Sequence, residues 1–380
     1  MHKTDHNGAL TDLMSREEIK IYTYDRKLHP DPSFRKIQLE NMKLFKEHNA
    51  FRTEEVENLF LDANINYVKY KPLKSEEYHF YIPSTGDLHI VNTRGDMRLL
   101  RDLDQYLALK EIAKIQGLRK EERHYKNDKA RASMRFIELA FNLVDELYPL
   151  IDKKAVEEQK QINIILGPLE SLTTKNVYVE AENKNDFLNA RIIRIGEKPV
   201  VNFDYVFADQ GKNVLENIYI ITKAKFPDAN INIFHYGKVG ILNPDIQVEA
   251  ICLPTGALSE RKVIEGTPRI HPIYNLLESD KMLMGLFEEL IGEKAKSGTT
   301  TDSTAVLRQK RKNLELCLSA GGDFVDMEWR SMSTNPYMNY FFAGVGSDKP
   351  LKGKNLANTE YQKEKEINVA EAFKEIIRII

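Results

Sequence analysis

The sequence QINIILGP at residues 161–168 decides the fold class that we expect for this chain. An apolar run that leads into Gly167 and Pro168 is typical of a buried strand followed by a loop. From there to residue 380, short apolar runs alternate with segments of helical spacing. This alternation is typical of a sheet that helices cover on both faces. We therefore predict an α/β domain over residues 156–380.

The residues before this domain have another pattern. A capping-box sequence at residues 15–18 predicts the start of a helix, and apolar spacing predicts a further helix over residues 34–48. Short runs of β-branched and aromatic residues between residues 66 and 91 predict a small hairpin. The apolar pattern breaks at Pro149 and the charged residues that follow it. We predict a mainly helical α+β domain over residues 1–155, with a role in regulation or oligomerisation.

The composition excludes several classes of protein. Lys and Arg number 55 against 57 Asp and Glu, so the net charge of -2 creates no field that favours nucleic acid or an anionic membrane as partner. No run of about 20 apolar residues could span a bilayer. The two cysteines, Cys252 and Cys317, are too few for a disulfide framework, and we expect both to be reduced and buried. The polar N-terminus leads into no apolar secretory segment, which favours a cytoplasmic protein.

Four polar segments follow predicted strands, where ligands collect in open α/β sheets because loops and helix N-termini converge there. These segments are residues 236–240 (YGKVG), 299–302 (TTTD), 326–331 (DMEWRS) and 346–350 (GSDKP). Together they are more informative than any one alone, because each has common structural uses. The sequence therefore predicts a ligand site built from several strand ends.

The order and spacing of Asp326-Met327-Glu328 and the later Ser347-Asp348 resemble the nucleoside phosphorylase/nucleosidase superfamily, and most closely the AMP nucleosidases. The resemblance covers residues 161–380. It implies a phosphorylase-like mixed central sheet flanked by helices, and an N-glycosidase with no metal or organic cofactor. It also implies that the chain forms homo-oligomers.

Cleavage of a purine N-glycosidic bond needs a neutral leaving base and a sugar that can carry positive charge, and each need calls for a carboxyl group. By resemblance, Asp348 is the acid that protonates the base, which requires a pKa raised by burial or by a hydrogen bond. Ionised Glu328 would accept hydrogen bonds from the ribose hydroxyls, and Met327 would pack beneath the sugar. Ser347 is placed in the substrate site by the same motif.

Further substrate contacts are expected around these carboxyl groups. They are assigned to Tyr236, Gly237, Lys238, Thr300, Thr301, Arg330, Gly211 and Lys212. The two threonines would hydrogen-bond base or phosphate, with Asp302 as the cap of a helix that begins near residue 304. Lys238, Arg330 or Lys212 could hold the 5′-phosphate of a nucleotide through charge-assisted bonds.

Two segments depart from the pattern of the family. Lys238 stands where a small residue is expected, which hinders close approach of the backbone to a ligand. The loop after Gly167 lacks the arginine of the phosphorylases and has Glu170. Water is then the expected nucleophile, and Glu170 is the residue that would orient it.

Each of these roles has a structural alternative. A Ser-Asp-x-Pro sequence is common at helix N-caps and turns. Glu328 could form a surface ion pair with Arg330, residues 299–301 could be a mobile loop, and Tyr236 could fill the core.

The leading hypothesis is a purine nucleotide N-glycosidase that hydrolyses AMP or a related nucleotide to free base and ribose 5-phosphate. Its partner would be a purine nucleotide or nucleoside. Two alternatives stay open: a phosphate-dependent nucleoside phosphorylase, and a non-catalytic nucleotide-binding or regulatory protein on the same fold.

Overall fold

The computed structural model describes most of the chain in separate ranges. These are residues 11–49, 53–73, 78–92, 105–115, 118–120, 142, 145–151, 153–167, 177–184, 189–203, 211–303, 309–326, 339–353 and 363–380. The chain divides into two compact units. The first comprises Met1–Phe136, Asn185–Phe187 and Thr304–Lys310, and the second comprises Ile137–Lys184, Leu188–Ser303 and Arg311–Ile380.

The first unit combines helices with a five-stranded sheet in its described residues. Its elements are α1 (Arg16–Lys27), α2 (Pro32–Asn41), β1 (Leu44–Asn49), α3 (Thr53–Asp62), β2 (Val68–Tyr70), β3 (His79–Ile82), β4 (Asp87–Asn92) and β5 (Arg119–Lys120). The strand order is β2-β3-β4-β1-β5, in which β2, β3 and β4 are antiparallel and β1 is parallel to β4 and β5. The predicted hairpin is confirmed as strands β2 to β4, and the sheet is larger than predicted.

Two local predictions for this unit have opposite outcomes. The capping box is confirmed, because the Ser15 hydroxyl accepts a hydrogen bond from the Glu18 amide and the Glu18 carboxylate accepts one from the Ser15 amide. The single helix predicted over residues 34–48 was wrong, because α2 ends at Asn41 and β1 begins at Leu44. Phe45 is fully buried in β1, whose backbone pairs with a strand on each side. Sheet pairing therefore outweighs the helical spacing of the apolar residues.

The second unit alternates strands with helices. Its elements are α4 (Lys153–Gln159), β6 (Gln161–Leu166), β7 (Val177–Lys184), β8 (Asn189–Ile195), β9 (Lys198–Phe203), α5 (Gly211–Lys225), β10 (Asn230–Ile241), β11 (Ile251–Ser259), α6 (Glu260–Ile264), β12 (His271–Pro272), α7 (Leu276–Ser279), α8 (Lys281–Ile291), β13 (Lys296–Asp302), α9 (Arg311–Ser319), β14 (Phe324–Asp326), β15 (Asn339–Asp348) and α10 (Lys363–Ile379). Among the helices that the structure describes, none has the length and apolar character needed to cross a membrane.

The sheet of this unit is mixed. Its described strands follow the order β12-β11-β13-β14-β10-β6-β9-β8-β7, and β15 pairs with both β10 and β11. Strand β10 is parallel to β6 and to β15, and β6 is parallel to β9. Strand β14 is antiparallel to β10, and β15 is antiparallel to β11. Because β10, β14, β13, β11 and β15 each pair with the next and β15 returns to β10, these strands close into a ring. The predicted α/β fold with a mixed central sheet is confirmed.

Helix α10 packs on β8, β10 and β15 of this sheet. Phe373, Ile376 and Ile377 on α10 are fully buried and share a core cluster with Phe234 of β10 and Phe287 of α8. Burial of each such side chain contributes about 1.5–3 kcal/mol to folding. The apolar face of α10 therefore packs within the unit.

Both cysteines are free and buried, as predicted. Cys252 lies on β11 and Cys317 on α9. Burial raises the pKa of Cys317 to about 12, so its thiol stays protonated at neutral pH.

Candidate active site

Strands β10, β14 and β15 meet at Gly240. Gly240 pairs with Asp348 of β15 on one side and with Val325 of β14 on the other. A Cβ atom at position 240 would lie 3.2 Å from Oδ1 of Asp348 and 2.7 Å from Cγ1 of Val325. The absence of a side chain at Gly240 therefore makes room for the Asp348 carboxyl group between the strands.

Asp348 is a buried carboxyl group at the end of β15. It is 6% exposed, and the hydroxyl of Ser347 donates a hydrogen bond to Oδ1 at 2.8 Å. Burial raises the pKa of Asp348 to about 6, and the hydrogen bond from Ser347 opposes this rise. A carboxyl group with such a pKa can give up a proton close to neutral pH.

The chain directly after Asp348 is anchored by two cations. The ammonium group of Lys349 donates to the carbonyl of Pro244 at 3.1 Å, and the guanidinium of Arg311 donates to the carbonyl of Leu351 at 2.8 Å. Both bonds use backbone oxygens as acceptors. They hold the end of β15 in place.

The candidate segment 236–240 lies inside a strand, since β10 continues to Ile241. Gly237 pairs with Gly344 of β15, and the next residue, Lys238, is exposed. His235 is buried, which lowers its pKa to about 3, so its imidazole stays uncharged wherever Asp348 titrates. Lys238 is the exposed residue of this segment.

Tyr236 lies in the core. It is 1% exposed, belongs to the cluster that contains Phe373, and its ring rests on the backbone of Gly167 at the end of β6. A Cβ atom on Gly167 would fall within 2.7 Å of this ring. The Gly167 carbonyl also accepts a hydrogen bond from the side chain of Asn202 on β9 at 3.1 Å. Side chains from β9 and β10 therefore hold Gly167, where the loop after β6 begins.

Thr300 and Thr301 are buried residues of β13, and the segment 299–302 is a strand in the structure. Successive side chains of a strand point to opposite faces. The Thr301 hydroxyl lies against Gly322 and beside the Cys317 thiol of α9. Thr300 therefore faces the other side of the sheet, and the two hydroxyls do not line one pocket.

A carboxyl group that the sequence motifs missed follows β11. Glu260 begins α6, where its amide donates to Oδ1 of Asp302 at 2.9 Å and its carboxylate accepts from the side chain of Asn313 at 3.1 Å. Burial raises the pKa of Glu260, the bond from Asn313 lowers it, and the charge of Asp302 raises it. The apolar run of β11 is interrupted by Pro254 and Gly256, where the register is irregular, so the sequence gives no clear sign that the strand continues to Ser259.

Several predicted site residues lie outside the described part of the chain. They are Glu170, Met327, Glu328 and Arg330. Gly211 and Lys212 occupy the first turn of α5. Among the described residues, no group of three or more His, Cys, Asp or Glu is arranged to hold a metal ion.

No protein-family model and no curated protein matches the chain. Among solved structures, the chain is similar to an S-adenosylhomocysteine nucleosidase from Streptococcus pyogenes, with 14% identity and a TM-score of 0.42 over 58% of this chain and 97% of that chain. It is similar to a putative methylthioadenosine nucleosidase from Weissella paramesenteroides, with 12% identity and a TM-score of 0.45 over 58% and 100% of the two chains. It is also similar to the futalosine hydrolase of Helicobacter pylori, with 15% identity and a TM-score of 0.44 over 59% and 100%.

Proposed function

We propose that the chain is a purine nucleotide N-glycosidase, which hydrolyses AMP or a related nucleotide to the free base and ribose 5-phosphate. The observation that carries this proposal is the Asp348 carboxyl, which is buried, has a raised pKa and lies where three strands meet. A purine leaves most readily as a neutral base, and a carboxyl that stays protonated close to neutral pH can make it neutral.

Asp348 is the general acid of the proposed reaction. As the bond between C1′ of the ribose and the base nitrogen breaks, its electron pair stays with the base. The base takes the proton of Asp348 and leaves, and Asp348 becomes a carboxylate. The sugar then carries oxocarbenium-like positive charge. The carboxylate of Glu328 accepts hydrogen bonds from the ribose hydroxyls, and these hydroxyls help to stabilise that charge.

Water completes the reaction. Its oxygen bonds to C1′ and releases a proton to solvent, while Asp348 regains a proton from solvent. Glu170 is the carboxylate assigned to orient this water. The balance is one water consumed for each base and each ribose 5-phosphate released.

Lys238 supports a nucleotide rather than a nucleoside as the substrate. It is exposed on β10 two residues before Gly240, the partner of Asp348 in the strand register. An ammonium group at this position can form a charge-assisted bond to a 5′-phosphate. Lys212 and Arg330 are assigned the same task.

To test this, the full chain is incubated with a panel of purine and pyrimidine nucleosides and nucleotides, with and without inorganic phosphate. The products are then separated by chromatography with mass detection. The expected products are a free purine and ribose 5-phosphate from a nucleotide, at a rate independent of phosphate. The variant Asp348→Asn is expected to release base about 10³-fold more slowly or not at all. The matched control Asp228→Asn, at an exposed aspartate in the turn before β10, is expected to behave as the wild type.

Three outcomes would contradict the proposal. Undiminished base release by Asp348→Asn would remove Asp348 as the acid. Ribose 1-phosphate formed only with added phosphate would identify a phosphorylase. Tight nucleotide binding with no base release would favour the non-catalytic regulatory protein.

A further inference from the structure

Strand β15 contains a bulge next to the proposed acid. Val239 of β10 pairs with Gly346, but the following residue, Gly240, pairs with Asp348, so Ser347 is an extra residue in β15. In a regular strand the side chains of residues 347 and 348 would point to opposite faces. The bulge re-aims them, and the Ser347 hydroxyl lies 2.8 Å from Oδ1 of Asp348.

The Ser347 hydroxyl has two acceptors but one proton. Besides Oδ1 of Asp348, the carbonyl oxygen of Val239 lies 3.3 Å from its Oγ. Ser347 is 5% exposed, so water has little access to this pair of acceptors. The hydroxyl proton therefore points either to the carboxyl group of Asp348 or to the backbone of β10.

We propose that Ser347 is a positioning residue whose hydroxyl turns from the Val239 carbonyl to the Asp348 carboxylate as Asp348 gives its proton to the leaving base. While Asp348 is protonated, its O–H is directed at the base and the Ser347 hydroxyl can donate to the carbonyl of Val239. Once Asp348 is ionised, the Ser347 hydroxyl donates to the new carboxylate. Ser347 keeps its proton throughout, and only the proton of Asp348 is transferred.

This rotation places a donor where negative charge develops during the reaction. A short hydrogen bond to an ionised oxygen is stronger than one to a neutral carbonyl. The rotation of the Ser347 hydroxyl therefore favours the state after proton transfer. The inference rests on the proposed function for its catalytic effect. It also assigns Ser347 to Asp348, rather than to the substrate as the sequence motif implied.

Replacement of Ser347 alters none of the charged residues on the elements packed against Asp348. They are Lys238 on β10, Asp326 on β14, Glu249 before β11 and Lys349 on its own segment. A change that is specific to a Ser347 variant therefore reports on its hydroxyl.

The test compares Ser347→Ala and Ser347→Thr with the wild type in two measurements. The first is the pH profile of kcat and of KM for the nucleotide substrate. The second is the titration of the Asp348 carboxyl carbon by nuclear magnetic resonance in the full chain, with the signal assigned by its loss in Asp348→Asn. The second measurement does not depend on activity.

Loss of the hydroxyl leaves the Asp348 carboxylate without its donor, so Asp348 holds its proton to higher pH and gives it up less readily. For Ser347→Ala we expect kcat to fall about tenfold, with KM unchanged and the falling limb of the pH profile about one pH unit higher. The carboxyl titration should move by the same amount. Ser347→Thr keeps the hydroxyl and should restore both values.

A folded Ser347→Ala variant with an unmoved pH limb and an unmoved carboxyl titration would overturn the proposal. If the alanine variant does not fold, Ser347→Cys keeps the shape with a weaker donor, and an unmoved titration in that variant overturns it equally. If the wild type releases no base, the proposed function fails, and the carboxyl titration alone decides the role of Ser347.

Discussion

Two aspartates of the same strand ring, Asp323 and Asp348, differ in what donates to them. Asp323 precedes β14, and its carboxylate accepts hydrogen bonds from the amide of Thr299 at 3.0 Å and from the side chain of Asn243 at 2.8 Å. Asp348 is more deeply buried, and among the described residues the donor that reaches it is one hydroxyl, that of Ser347. A carboxylate with two donors links the segments that carry them, whereas a buried carboxyl with one hydroxyl donor is suited to exchange a proton.

The largest expected effect is a difference in kcat between variants of the two aspartates. Asp348→Asn removes the proposed proton donor, so kcat for base release should fall by about 10³-fold or more. Asp323→Asn alters a structural carboxylate and should leave kcat within about threefold of the wild type in the folded protein. Steady-state kinetics on both variants measures this, and similar losses in the two would remove the distinction.

The second prediction concerns stability and pH. The pKa of Asp348 is about 6 in the folded chain against an ordinary value of 3.8. The folded state therefore binds the proton of Asp348 more tightly, and the contribution of Asp348 to stability should fall as pH rises from 4 to 6 and then level off. At about 1.36 kcal/mol per pKa unit, Asp348→Asn should be more stable than the wild type by about 2–3 kcal/mol at pH 8.

Urea unfolding of the wild type and Asp348→Asn at several pH values between 4 and 8 measures this difference. Asp323→Asn serves as the comparison, since it loses part of a bonded network and should be less stable than the wild type at each pH. A stability difference between Asp348→Asn and the wild type that does not change with pH would contradict a raised pKa for Asp348.

The third prediction concerns the space that Asp348 occupies. In Gly240→Ala, the new Cβ would meet Cγ1 of Val325 at 2.7 Å and Oδ1 of Asp348 at 3.2 Å, so the carboxyl group must shift. We expect kcat to fall by about 10–50-fold, because a displaced acid is poorly aligned with the base. Gly285→Ala is the matched control, since nothing lies within 4 Å of a Cβ on this glycine of α8. Wild-type activity in Gly240→Ala would show that the Asp348 carboxyl tolerates the shift.

The smallest expected effect concerns the partner of Asp323. Asn243→Ala removes one of its donors and should lower the free energy of unfolding by about 1 kcal/mol. The pH profile of kcat should keep its wild-type position, because Asp348 keeps its donor. Denaturant unfolding and a pH–rate profile check the two parts. A shifted profile would mean that the two aspartates are coupled through the strand ring.

Local signals in the sequence were accurate where the neighbouring chain decides the structure. The capping box at Ser15 depends on residues three apart, and the strand at residues 161–166 depends on an unbroken apolar run. The helix predicted over residues 34–48 failed because the strand that pairs with β1 is about 40 residues away in the sequence. Sequence spacing carries no information about such a partner.

The sequence also directed attention to Asp348, since Ser347-Asp348 follows Asp326-Met327-Glu328 in a recognisable order. It did not show that Tyr236 faces the core or that Thr300 and Thr301 face opposite sides of β13. The segment 346–350 was expected to follow a strand, whereas β15 continues to Asp348 and contains the bulge at Ser347. The roles of Glu170, Met327, Glu328 and Arg330 and the domain boundary at residue 155 stay predictions.

The sequence by itself determined the α/β class, which follows from the alternation of apolar runs with helical spacing, and the choice of candidate acid, which follows from the order of its motifs. The tertiary structure alone decided which strand ends meet. The pairing of Gly240 with both Asp348 and Val325 buries the carboxyl and raises its pKa, and the bulge at Ser347 supplies its donor. Burial and hydrogen-bond geometry arise from contacts between residues distant in the chain, so the raised pKa of Asp348 exists only in the folded protein.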